Sequence, residues 1–427
     1  MRLKHIAFAL LVATALTGCN DTLDSATGVD ISKVKNKVEQ PLSAKVVADM
    51  QAKNMPRTSP IMIRIYKEEG KLEIWKAKAD NRFDMIRSYD ICAWSGKLGP
   101  KVKEGDRQAP EGFYSLTPAH LNPNSKYYLA INTGFPNRYD AANGRSGSNL
   151  MIHGACSSSG CYSMTDEQIL EIYAFARDAF KGGQTAVQLQ ALPFRMTAEN
   201  MARHRESEHY DFWKMIKVGY DNFEVTKRPP EVAVCGKKYT FNQQASGPVN
   251  AAAACPEMST PPALVSALST YNKTYDVAYE KAVDKLGSKV WYEPSEAERK
   301  AVVAEKRKGR ELAYAPTGTS LAAGKLMSQS EFQAMMEKRM AAGQPKPAST
   351  QLASVSSSPR PATAAERMKQ DRLPTASTPQ AATPTVETAE GRTSAVPVPE
   401  QNPLAYAAPA APVGEAKKPF WKFWDKQ

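Results

Sequence analysis

The clearest hydrophobic pattern in the chain is a pair of alternating runs. Ile61, Ile63 and Ile65 alternate with Met62, Arg64 and Tyr66. Leu72-Glu73-Ile74-Trp75-Lys76 then follows a Glu68-Glu69-Gly70 turn. A period of two on both sides of a glycine-bearing turn predicts a β-hairpin. Further strands are predicted over residues 85–93, 112–116, 127–132, 149–153 and 184–191, with turn-rich loops such as Gly96-Lys97-Leu98-Gly99-Pro100 between them. After residue 164 the period becomes helical. Thr165-Asp166-Glu167-Gln168 has the form of a capping box, Ile169, Ile172, Tyr173, Ala176 and Phe180 recur at helical spacing, and Gly182-Gly183 ends the run. Another helix is predicted over 200–220, with Phe212, Trp213, Ile216 and Tyr220 on one face, and a short lead-in helix over 42–54.

The same pattern divides the chain. Met1-Arg2-Leu3-Lys4, a short apolar run over 6–16 and then Leu16-Thr17-Gly18-Cys19 read as an export signal over 1–18, too short to span a bilayer comfortably. The ending resembles a bacterial lipoprotein signal, which makes Cys19 the lipid attachment site; an ordinary signal cut nearby is the alternative. Residues 19–57 read as a tether with the lead-in helix, and 58–242 as a compact unit whose last apolar member is Phe241. Residues 243–343 are helix-prone and charged but too poor in apolar residues for a core of their own, so they are expected to be a peripheral extension. Residues 344–427, rich in Pro, Ala, Ser and Thr, cannot bury enough surface to fold; their basic-aromatic end (Lys417 to Lys426) suits a membrane interface or a plain disordered tail. The expected fold class is α+β: a mainly β catalytic unit with covering helices, a helical extension and a disordered tail.

Charge and cysteine content narrow the setting. Fifty-six Lys+Arg against 44 Asp+Glu give +12. On an exported chain the nearest polyanions are phospholipid headgroups and the carboxylates of cell-wall peptides. No strip alternates basic and aromatic residues as a nucleic-acid surface does, so nucleic acid is not an expected partner. Six cysteines in an oxidising compartment need partners. With Cys19 given to lipid and Cys161 kept reduced for chemistry, Cys92, Cys156, Cys235 and Cys255 allow three pairings. Nearness in sequence favours Cys235 with Cys255, leaving Cys92 for Cys156.

The candidate chemistry lies in His153-Gly154-Ala155-Cys156-Ser157-Ser158-Ser159-Gly160-Cys161. An imidazole and a thiol flank a turn of small residues, and a thiolate is the nucleophilic form of cysteine. The pattern places Cys161 between a strand and a helix N-terminus, where the helix dipole favours negative charge. The plain alternatives are a structural cysteine and a satisfied core histidine. His153, Cys156 and Cys161 lack a fourth ligand at a usual spacing, so no metal and no cofactor are expected. Of the other histidines, His5 is in the signal and His204 and His209 lie on polar helical stretches, which leaves His120 as the competing base. Tyr139, Asp140 and Arg145, and likewise Asp106 and Arg107, suit either substrate binding or solvated loops.

His153-Gly154 followed by Ser158-Ser159-Gly160-Cys161 resembles the catalytic segment of the YkuD-type L,D-transpeptidases. The likeness covers roughly residues 58–242 and is similar to the YafK branch in Ser59-Pro60, Ile65-Tyr66-Lys67-Glu68, Trp94-Ser95-Gly96, Leu98-Gly99-Pro100-Lys101, Gly105-Asp106, Pro110 to Tyr114, Phe135-Pro136-Asn137 and Pro193 to Thr197. The resemblance implies Cys161 as nucleophile, His153 as general base, the Gly154 carbonyl as the third member, and backbone N–H groups at Ser159 and Gly160 as an oxyanion hole. It implies peptidoglycan stem peptides as substrate, attacked at the L-centre of diaminopimelate, with a wall-linked outer-membrane protein as a further partner. Two positions depart from the family pattern: Ser159 stands where many members have histidine, and Ser163 where many have arginine. Transpeptidation, hydrolysis of the same bonds and an inactive wall-binding module remain as readings, the intact His/Cys pair weighing against the last.

Overall fold

The computed structural model describes residues 30–156, 160–308 and 324–342. The signal peptide, Cys19 and the whole tail beyond residue 342 fall outside these residues, as does Ser159. The first elements are α1 (Ala44–Ala52), capped by the Ser43 side chain, and the hairpin β1 (Ile61–Tyr66) and β2 (Lys71–Ala77). There follow β3 (Phe83–Asp90), β4 (Ala93–Trp94), β5 (Gly112–Leu116), β6 (Leu121–Asn122), β7 (Ala130–Asn132), α2 (Arg138–Ala142), β8 (Met151–His153), β9 (Tyr162–Ser163), α3 (Asp166–Lys181) and β10 (Val187–Leu192). They build two sheets, one in the order β3-β2-β1-β10-β5 and one in the order β4-β9-β8-β7-β6. The first is antiparallel apart from the β1–β10 pair, the second apart from β8–β9. α3 packs against β1 of one sheet and against β7 and β8 of the other, so one contiguous core joins the two sheets through it. This is the expected α+β class.

Alternation along β1 predicted one buried face, yet all six of its residues are buried. The second face is covered by α5 (Tyr210–Thr226). Phe223 of that helix closes a small cluster with Met62, Ala77 and Phe83. Arg64 enters the same layer as a caged cation. Its guanidinium lies 4.1 Å from the Phe223 ring and 4.6 Å from the Tyr220 ring, and it pairs with Glu224 at 2.5 Å. An unpaired charge at that depth would cost several kcal/mol, on the order of 3–5, so the pairing is what allows arginine there.

Three predicted elements differ in extent. The 85–93 strand breaks at Ile91-Cys92 into β3 and β4, because Cys92 turns to donate its N–H to Ser163 in the second sheet. Residues 127–129 are not strand; the Tyr127 and Leu129 carbonyls accept the Gly154 N–H instead. The 200–220 helix is two helices, α4 (Ala198–Arg203) and α5. His204 caps α4 and is buried against Phe194, with Nε2 3.1 Å from Glu68, so it does not lie on a polar helix face.

Beyond β11 (Val232–Cys235) and β12 (Lys238–Phe241), an antiparallel pair, come β13 (Gln244–Ala245), β14 (Met258–Ser259), α6 (Pro262–Leu286), β15 (Val290–Tyr292), α7 (Glu296–Arg307), β16 (Lys325–Met327) and α8 (Gln329–Ala342). α6 packs on α4 and α5 and buries only Ala282 fully, as its polar composition dictates. Glu293, just after β15, accepts the Leu98 N–H at 2.9 Å. The chain divides into two units after Phe332; of the second, 333–401, only the rest of α8 is described. Two disulfides close as favoured from sequence: Cys92–Cys156 across a separation of 64 and Cys235–Cys255 across 20.

Candidate active site

Register brings the imidazole and the thiol to one place. β8 and β9 run parallel with His153 opposite Ser163 and Ile152 opposite Tyr162. Cys161, one step before β9, therefore falls beside Met151. Side chains two apart on a strand share a face, so His153 and Cys161 project from the same side of the sheet. The Met151 N–H donates to Cys161 Sγ at 3.4 Å, and Sγ lies 3.7 Å from the Asn149 carbonyl. Cys161 is the described cysteine outside both disulfides. Cys156 is bonded to Cys92, which removes it from any metal set.

His153 is buried, and its Nδ1 lies 2.6 Å from the Gly154 carbonyl. A carbonyl can only accept, so Nδ1 carries the proton and Nε2 keeps a lone pair in the neutral ring. Burial pushes the imidazole below its ordinary value, with the Gly154 carbonyl working against that. Gly154 has no room for a side chain: a Cβ would sit 2.3 Å from Asp166 Oδ1 and 2.8 Å from the Tyr127 carbonyl. The Tyr127 ring lies 4.6 Å from the imidazole at 34° and fixes its tilt.

The thiol is set differently from the sequence expectation. β9 and the Thr165 cap stand between Cys161 and the first turn of α3, and a helix dipole acts only over its terminal turn. Burial pushes the Cys161 thiol up; the Met151 N–H and the Lys101 charge oppose it. Gly160 has φ +113°, a conformation that side chains resist, and faces the backbone of Arg107. Its partner in the expected oxyanion hole, Ser159, is outside the described residues.

The remaining candidates have clear places. His120 caps its own turn, with Nδ1 3.0 Å from the Thr117 N–H. Arg145 pairs with buried Asp140 at 2.9 Å and lies 4.8 Å from the Tyr139 ring, so these three bind one another. Asp106 is tied to Lys101, while Arg107 is exposed. Ser163 is fully buried and donates to the Ala93 carbonyl at 2.9 Å. The sequence assigns no role to Tyr127 or Lys101, because strand order and loop closure rather than a local motif bring them to the site.

The family model of the YkuD L,D-transpeptidase catalytic domain matches residues 62–187, which hold both His153 and Cys161. "Putative L,D-transpeptidase YafK" of Escherichia coli K12 is 48% identical over 188 residues, covering 44% of this chain and 76% of that protein, and the protein of the same name from strain O157:H7 matches equally. The chain belongs to the YkuD family of L,D-transpeptidase catalytic domains. Within it, the chain is YafK-like. Solved structures that align include the helical cell shape determining protein Pgp2 of Campylobacter jejuni (17% identical, 44% of this chain and 79% of that one, TM-score 0.26) and Bdellovibrio bacteriovorus Bd1075 (22%, 40% and 61%, 0.23).

Proposed function

We propose that this chain is a cysteine-dependent L,D-transpeptidase acting on peptidoglycan stem peptides. Cys161 Sγ attacks the carbonyl at the L-centre of diaminopimelate while His153 Nε2 takes the thiol proton. The imidazolium returns that proton to the leaving amine, and an acceptor amine then resolves the thioester. Backbone N–H groups at Ser159 and Gly160 hold the oxyanion. The observation that carries this reading is the 2.6 Å contact of His153 Nδ1 with the Gly154 carbonyl, which leaves Nε2 unprotonated on the face shared with the thiol.

Hydrolysis of the same bonds, releasing diaminopimelate-linked protein, is the second reading. Ser163 favours it: the side chain is committed to Ala93, so the position supplies no cation to recognise a peptide donor. The proposed organisation has residues 58–242 as the catalytic domain and 243–343 as an extension. Export, with lipid on Cys19 and the domain in the periplasm, is part of the proposal, and two disulfides among the described residues support an oxidising compartment.

The test is to incubate the mature protein with peptidoglycan carrying bound protein and to analyse products by mass spectrometry. New cross-links support transfer, and freed protein or shortened peptides support hydrolysis. Cys161→Ala should abolish either, by about 10³-fold or more. Turnover surviving that substitution would end the reading.

A further inference from the structure

Lysine is rarely buried without a partner, and Lys101 is 3% exposed. Its Nζ donates to Asp106 Oδ1 at 2.5 Å and to the Lys103 carbonyl at 2.9 Å. Asp106 also accepts the N–H groups of Val102, Lys103 and Gln108 at 2.9–3.0 Å. The 101–108 turn is thus closed around one carboxylate, with the ammonium fixed inside it.

This turn is wedged against both segments that flank the thiol. On one side, a Cβ on Gly147 would lie 2.6 Å from Lys101 Cε and 3.5 Å from Nζ, so the lysine stem runs directly over that backbone. Two residues on, the Asn149 carbonyl faces Cys161 Sγ, and the Ser146 N–H donates to the Val102 carbonyl at 3.0 Å. On the other side, the Arg107 backbone lies 4.0 Å from a Cβ on Gly160. Deeper in the molecule, Lys67 donates to the Gly99 and Ala109 carbonyls and to Glu111, anchoring the loop from beneath.

We propose that Lys101, held by Asp106, is a positioning residue: the fixed counter-charge that stabilises Cys161 as a thiolate when its proton leaves. This rests on the reading of Cys161 as the nucleophile. Several titratable or charged groups surround the pair. His153 shares the thiol's face of the sheet, with the Tyr127 ring against the imidazole, and Tyr162 follows the thiol in β9. Asp106, Lys103, Glu104 and Arg107 lie on the lysine's own turn, and Arg145 across from it is already paired with Asp140. Lys101 is the cation whose charge bears on the thiol, and it works against the effect of burial. Asp106 is held below the usual carboxylate range, chiefly by Lys101 among its hydrogen-bond donors and against its own burial, so the turn closes around a charged carboxylate.

The test reads thiol ionisation rather than turnover. The rate of iodoacetamide alkylation of the disulfide-intact protein is followed against pH, with Cys161→Ser as the blank. Lys101→Met should move the midpoint to higher pH and slow alkylation at pH 7 by about 3- to 10-fold. Asp106→Asn, which leaves the ammonium uncompensated, should move it to lower pH. Lys101→Arg should stay near the parent. Should Lys101→Met not fold, Lys101→Gln is read in its place, with the same upward shift expected. Midpoints that stay put, or that move together in folded Lys101→Met and Asp106→Asn, overturn the inference. Peptidoglycan turnover surviving in Cys161→Ser would instead overturn the functional reading, whatever the titration gives.

Discussion

At the scale of single residues, burial pushes the His153 imidazole below its ordinary value and the Cys161 thiol above its own. In the proposed mechanism both directions favour proton transfer during attack rather than before it. The sign of the pH dependence follows. As pH falls, activity is lost when Nε2 gains a proton, and His153 titrates below its ordinary 6.5. The acidic limb of kcat/KM should therefore have its midpoint below 6.5, measured on soluble muropeptides. Gly154→Ala should cost about 1–3 kcal/mol by overpacking against Asp166, and should lower kcat by displacing the carbonyl that sets the imidazole tautomer. Chemical denaturation and steady-state kinetics on the same variant would check both. His153, Gly154 and Cys161 were legible in the sequence because one short run carries all three. Lys101 and Tyr127 were not. They reach the site from 60 and 34 positions before Cys161, through sheet order and loop closure that no local pattern encodes.

At the scale of elements, legibility followed how local the cause was. The β1–β2 hairpin and α3 were written in alternation, a glycine turn and a capping box, and both stand as read. The break between α4 and α5 was not. Residues 204–209 are compatible with helix, and the break coincides with the burial of His204 against Phe194 and Glu68 and with a turn closed from Ser207 to the His204 carbonyl. The placement of the thiol was misread for a related reason. A two-residue strand has no periodicity to detect, yet β9 is what separates Cys161 from α3. That separation has a testable side. Thr165→Ala removes the α3 cap and should cost about 1 kcal/mol of stability. The pH midpoint of Cys161 alkylation should not move, because the helix terminus does not set it. A midpoint shifted upward together with the stability loss would restore the dipole to the account.

At the scale of the whole molecule, α3 joins two sheets into one core, and α5 covers the face of the first sheet that α3 leaves open. The extension is tied to the catalytic unit by helix packing and by Glu293 on the Leu98 N–H, close to the loop that carries Lys101. The Cys92–Cys156 bond should contribute up to about 4 kcal/mol by restricting the unfolded chain, measurable as the stability lost in Cys92→Ala/Cys156→Ala. It also has a topological result. Residues 92–156 form a covalent macrocycle that contains Lys101, Asp106, Tyr127 and His153, while Cys161 lies on the strand of chain leaving it. The exposed stretch Val102–Gly105 is on that ring. A single proteolytic nick there opens the ring without releasing a fragment, because the disulfide holds the piece that carries Lys101 to the piece that carries His153 and Cys161. Limited proteolysis should show this as one band on a non-reducing gel that splits in two only after reduction.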